Sequence, residues 1–215
     1  MDDNSTATRL RSVLEDTEKV VKIAFFISGV GSNMLYIDDR CRSGELKANI
    51  SLVIADRVCP GTIEALKRGI PVVVLPVSGD ITSFIRQEWT DILLQVLVYY
   101  QIDLVCLGGF MKILGKRLTD CYRRRVINIH PGLLPQLAGK DPQIKALALG
   151  LKFTGNTVHM VTDKVDDSSI ILASDTVPIL YGDTEFILSN RLKLAGYNTY
   201  LTAIQNWIKL FYKEK

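Results

Sequence analysis

Apolar and polar positions fall in blocks along this chain, and the period of the blocks changes as the chain proceeds. Runs rich in β-branched and aromatic residues at 22–28, 50–55, 71–75, 103–107 and 126–130 have the length and composition of buried strands. Between them lie amphipathic stretches at 31–41, 62–67 and 81–100; in the last, Ile81, Phe84, Ile85, Trp89, Ile92, Leu93 and Val96 recur at helical spacing. Strands that alternate with helices imply parallel crossovers, and continuous apolar strands such as 72–75 imply a sheet covered on both faces. Beyond position 130 the grammar changes. Residues 155–162 and 169–177 flank a polar turn at 163–168, the pattern of an antiparallel hairpin. A long amphipathic helix is expected from Asp183 to Tyr212. The predicted fold is α/β, Rossmann-like and doubly wound, with a mostly parallel sheet, a mixed C-terminal hairpin and a long closing helix.

With 215 residues and 47% hydrophobic content, the chain supports one substantial core. We divide it into a polar N-terminal extension, 1–21, and a single domain, 22–215. The net charge of +3 is dispersed, with Arg123, Arg124 and Arg125 as the one dense basic cluster, so no nucleic-acid partner is expected. The most apolar stretch, 92–110, is interrupted by Gln95, Gln101 and Asp103, and no membrane span is read. Cys41, Cys59, Cys106 and Cys121 are widely spaced, and only His130 and His159 could join them at a metal. Free thiols, a cytoplasmic location and no metal are the expectation. Either a monomer or a homodimer fits.

Candidate chemistry collects at two strand ends. The strand at 126–130 delivers Asn128 and His130 to one face, because residues two apart share a side, and Pro131 and Pro135 forbid a helix directly after it. The loop Ser28-Gly29-Val30-Gly31-Ser32-Asn33 follows the first strand and opens a helix. Amides at a helix N-terminus attract phosphate, which makes Gly31, Ser32 and Asn33 the candidate anion site. A carboxylate could come from the hairpin turn, where Asp163, Asp166 and Asp167 are not separable by spacing. An amide, an imidazole and a carboxylate around one pocket suit acyl transfer to an amine, where an oxyanion needs donors and a proton must leave. His159 reads as a packed, hydrogen-bonded histidine.

Four blocks together resemble the folate-dependent formyltransferases: the Gly29–Asn33 loop, Gly109-Phe110-Met111-Lys112-Ile113-Leu114, Asn128-Ile129-His130-Pro131-Gly132-Leu133-Leu134-Pro135, and the run from Gly155 to Asp166. They stand in the family's order over about residues 22–200, and they look most like the branch that formylates glycinamide ribonucleotide in purine synthesis. The resemblance implies 10-formyltetrahydrofolate as co-substrate and glycinamide ribonucleotide as acceptor. It implies catalytic roles for Asn128, His130 and Asp166, and phosphate binding by Gly31, Ser32 and Asn33. It also implies folate contacts from Met111, Lys112, Ile113, Leu114, Val161 and Asp163, with Arg86 near the folate's acidic tail.

The chain departs from the usual pattern in places. Lys112 stands for Arg, Asp167-Ser168 for Gly-Gly, and Gly196-Tyr197 for a Glu-His pair that contributes to ribose recognition. Gly139-Lys140-Asp141-Pro142-Gln143 lacks the usual His. Two alternatives accompany the transferase reading: a hydrolase of 10-formyltetrahydrofolate, which normally carries an N-terminal regulatory domain longer than 21 residues, and a catalytically silent folate- or nucleotide-binding protein.

Overall fold

The computed structural model describes residues 20–76 and 83–212, with the side chains of 83–87 outside the description. The 1–21 extension therefore lies almost wholly outside the described residues, and so does the side chain of Arg86. The first strand, β1, spans Val21–Ile27, one residue ahead of the expected boundary. It is followed by α1 (Ser32–Arg42), β2 (Ala48–Ala55), α2 (Pro60–Lys67), β3 (Val72–Val74), α3 (Ser83–Tyr99) and β4 (Leu104–Leu107). Then come α4 (Lys116–Cys121), β5 (Val126–His130), α5 (Pro142–Ala148), β6 (Phe153–Thr154), β7 (Thr157–Met160), β8 (Ile171–Ser174), β9 (Val177–Pro178) and α6 (Glu185–Trp207). A π-helical turn, Ile208–Tyr212, extends α6, so the closing helix runs close to its expected bounds.

Among the described residues, seven strands form one sheet in the order β3-β2-β1-β4-β5-β7-β8. The five from β3 to β5 are parallel, and β7 and β8 pair antiparallel, which makes the sheet mixed as the hairpin pattern predicted. The residues 153–154 and 177–178 pair separately as a small two-stranded sheet, so 177 belongs to a different ladder from 171–174. Two short helices, α4 and α5, were not read in the sequence.

Period-two alternation sorts the strand side chains to two faces. Ile23, Phe25, Ile27, Leu104 and Cys106 face α1 and α6, packing with Met34, Ile37, Tyr200, Ile204 and Trp207. Ala24, Phe26, Leu52, Ile54, Val105 and Leu107 face α3 and α4, against Leu93, Leu97, Leu118 and Tyr122. β1 is buried on both faces, which explains its unbroken apolar run. Buried aromatics keep their polar ends satisfied: Tyr200 Oη donates to the Leu107 carbonyl at 2.9 Å and Trp207 Nε1 to the Arg124 carbonyl at 2.6 Å. Because β1, β4 and β5 run parallel, the loops at 28–31 and 108–115 and the segment after His130 all leave the same edge of the sheet.

Candidate active site

β7 lies antiparallel beside β5 with Asn128 opposite His159 and His130 opposite Thr157. Directly opposed residues share a face, so this register gathers all four side chains on one side of the sheet. Asn128 is half-buried, while His130 and His159 are 5% and 2% exposed. His130 Nε2 lies 2.7 Å from the Leu137 carbonyl oxygen. A carbonyl only accepts, so Nε2 carries a proton. Nδ1 of the same ring is 3.4 Å from Asp166 Oδ1. Both ring nitrogens thus face acceptors.

Of the three aspartates in the turn, Asp166 is the one whose carboxylate reaches His130 on the strand. Its Oδ2 accepts from the Gly139 amide at 2.8 Å, tying the hairpin turn to the loop after Pro135. Its backbone is left-handed, with φ of 50°. Asp167 instead closes the turn, accepting from Thr162 Oγ1 at 2.7 Å and from the Ser169 amide at 2.9 Å. These hydrogen bonds, Thr162 first, hold the Asp167 carboxyl below the usual range. Neither Asp167 nor Ser168 has positive φ, so replacing Gly-Gly with this pair brings no backbone conflict. Thr157 fixes the segment after His130, donating to the Gly132 carbonyl and accepting from the Leu134 amide.

The first loop leads straight into a helix start. Gly31 is the N-cap of α1 in the left-handed region, φ 70°, and among the described residues no side chain caps the helix, which leaves its first amides open. Gly61, at the start of α2, donates its amide to the Gly29 carbonyl at 3.0 Å and sits too close to the loop for any side chain. Sequence reading missed Gly61, since a lone Gly at a helix start carries no signal of its own. Ser28 Oγ accepts from the Met111 amide at 3.2 Å, which joins this loop to the 109–114 block. Asp56, at the end of β2, is raised by burial, but hydrogen bonds from Arg57 and Ser28 and the charges of Arg57 and Lys112 outweigh this and hold it below the usual carboxylate range.

A cavity of about 230 Å³ connects Asn33 to the strand end through Gly109, Ile129 and Pro131, and is closed by Gln143, Ser189, Lys193 and Gly196. Gly196 forms part of its wall, whereas Tyr197 turns away to stack on Tyr36 with ring centres 5.1 Å apart. On the other side, Leu114 and Val161 pack into one apolar cluster, while Met111 and Ile113 stay exposed. Asp163 and Val161 also border a cavity of about 530 Å³ with Arg123 and Arg124. Among the described residues, no group of three or more His, Cys, Asp or Glu side chains could hold a metal ion.

The Formyl transferase family model matches residues 21–204. The chain belongs to that family. A human relative, the trifunctional purine biosynthetic protein adenosine-3, is 36% identical over 189 residues, which are 87% of this chain and 18% of that protein. The chain thus spans less than a fifth of the length of that relative. A phosphoribosylglycinamide formyltransferase of Haemophilus influenzae is 34% identical over 86% of this chain and 85% of its own. The crystal structure of the phosphoribosylglycinamide formyltransferase of Brucella melitensis superposes with a TM-score of 0.80 at 34% identity, covering 88% of this chain and 96% of that one.

Proposed function

We propose that this formyl transferase family member moves the formyl group of 10-formyltetrahydrofolate to the amine of glycinamide ribonucleotide in purine synthesis. The observation that carries the reading is the convergence of Asn128, His130 and Asp166 at the carboxyl edge of the sheet, beside a helix start open to phosphate. The relatives named as phosphoribosylglycinamide formyltransferases supply the acceptor.

In this reading the amine nitrogen bonds to the formyl carbon and the carbonyl electron pair moves to oxygen. Collapse of that adduct breaks the bond to the folate nitrogen, which takes up a proton as the amine gives one up. Half-buried Asn128 is the direct donor to the oxyanion. His130, buried with Nε2 on the Leu137 carbonyl and Nδ1 facing Asp166, supports the oxyanion site and holds that carboxylate beside the adduct. The carboxylate of Asp166 assists the proton transfer. The acceptor's phosphate rests on Gly31, Ser32 and Asn33, and its ribose enters the cavity lined by Gln143, Ser189 and Lys193. Those side chains stand in for the Glu-His pair that Gly196-Tyr197 replaces. The folate ring lies against Met111, Ile113, Leu114 and Val161, with Lys112 and Asp163 on its polar side. Four free cysteines favour a reducing cytoplasm, and no helix among the described residues is long and apolar enough to cross a membrane.

Incubation with 10-formyltetrahydrofolate, with and without glycinamide ribonucleotide, tests the proposal. Acceptor-dependent release of tetrahydrofolate is expected. Formate release without acceptor would point to the hydrolase, and no turnover in either arm to a binding protein.

A further inference from the structure

We infer that His159 is a positioning residue for Asn128, fixing which edge of the Asn128 amide is presented to the reacting carbon. The inference rests on the proposed role of Asn128 as oxyanion donor. An asparagine amide has a donating and an accepting edge of nearly identical shape, and only its neighbours decide between them. Asn128 is half-buried in β5, and among the described residues its neighbour at hydrogen-bonding distance is His159, with Nδ2 3.4 Å from His159 Nε2.

The tautomer of His159 follows from its other nitrogen. Nδ1 is 3.0 Å from the Met160 carbonyl oxygen, which can only accept, so Nδ1 holds the proton and the neutral ring presents a lone pair at Nε2. That lone pair accepts one Asn128 N–H and leaves the second for the oxyanion. Rotating the amide by half a turn would set the Oδ1 lone pairs against the Nε2 lone pair, an acceptor facing an acceptor. A proton on Nε2 would invert this preference. The other groups that act on the ring are Asp166, whose Oδ1 is 3.9 Å from Nε2, and the Asp167 backbone carbonyl, which both favour a further proton, and His130, which opposes it. Burial is the largest influence and lowers the His159 pKa below its ordinary value, keeping the ring neutral. With 2% of its surface accessible, His159 does not reach a substrate itself. Its effect on the chemistry passes through Asn128.

The test is a double-mutant cycle in full-length protein, with His159→Phe and His159→Gln each made in the native and Asn128→Ala backgrounds. Gln can place an oxygen acceptor near the Nε2 position, whereas Phe keeps the bulk and loses the acceptor. His159→Phe is expected to lower kcat about 10- to 100-fold, with KM for both substrates within about 2-fold of native, because binding stays while alignment is lost. His159→Gln should return kcat to within about 5-fold of native, and in Asn128→Ala the Phe substitution should change kcat by less than about 2-fold. A native kcat in His159→Phe, or an equal loss in both backgrounds, would overturn the inference. A native kcat in Asn128→Ala alone would instead remove the oxyanion reading beneath it. Should His159→Phe fail to fold, His159→Leu takes its place in the cycle and is read the same way.

Discussion

Gly61 offers a sharp test of how the loop proposed to bind phosphate is held. An ideal Cβ at this position would lie 2.6 Å from Ile27 Cδ1, 2.8 Å from the Gly29 oxygen and 2.9 Å from the Val30 oxygen. Two of these three neighbours are backbone atoms of the loop and cannot rotate away. Restoring ordinary contact distances of about 3.5 Å requires a displacement of roughly 0.6–0.9 Å, and overpacking of this kind costs about 1–3 kcal/mol. For a domain of this size each kcal/mol moves Tm by about 2–4 °C, so Gly61→Ala should melt roughly 2–12 °C lower. The same displacement shifts the open amides at the start of α1, so KM for the ribonucleotide should rise while KM for the folate changes little. Gly29→Ala is the stability control, since nothing lies within 4 Å of its ideal Cβ, and it should melt within about 1 °C of the native protein. Differential scanning fluorimetry and steady-state kinetics read both quantities. A Gly61→Ala protein with native Tm and native acceptor KM would refute the claim that close approach of α2 shapes the loop.

Two further outcomes follow from burial. Tyr200→Phe leaves the Leu107 carbonyl without its hydroxyl donor in a fully buried place, so urea denaturation should show a loss of about 1–3 kcal/mol, and unchanged stability would contradict that hydrogen bond. His159 makes stability depend on pH. Its folded pKa lies below the ordinary 6.5, so the unfolded chain binds more protons as pH falls through 6.5, and the contribution present above that value is lost towards the folded pKa. Urea midpoints should therefore drop between pH 7.5 and 5.5, and drop less in His159→Gln; parallel losses in the two proteins would count against it.

The parallel part of the sheet was legible because its central strands, β1 and β4, are apolar on both faces and the long connections between strands carry helical spacing. α4, with six residues, and the dipeptide at 153–154 are too short to develop a period and passed unread, and its partner Val177 was read as the end of the preceding strand. At the site, the placement of Asn128 and His130 followed from strand alternation and the proline after them. The choice of Asp166 did not, because three aspartates share one turn and only the folded turn shows which one reaches His130. The part played by His159 was hidden for a related reason. Alternation shows that Thr157 and His159 share a face, but the register that sets His159 opposite Asn128 depends on how β7 docks, and a slip of one residue would turn it to the other side.

The central claim is that the Asn128 amide stabilises charge on the transferring formyl oxygen, and single-turnover formyl transfer by Asn128→Ala tests it most directly. Removal of one oxyanion donor should slow the chemical step by about 100- to 1000-fold with the fold intact. A native rate in that variant would contradict the account.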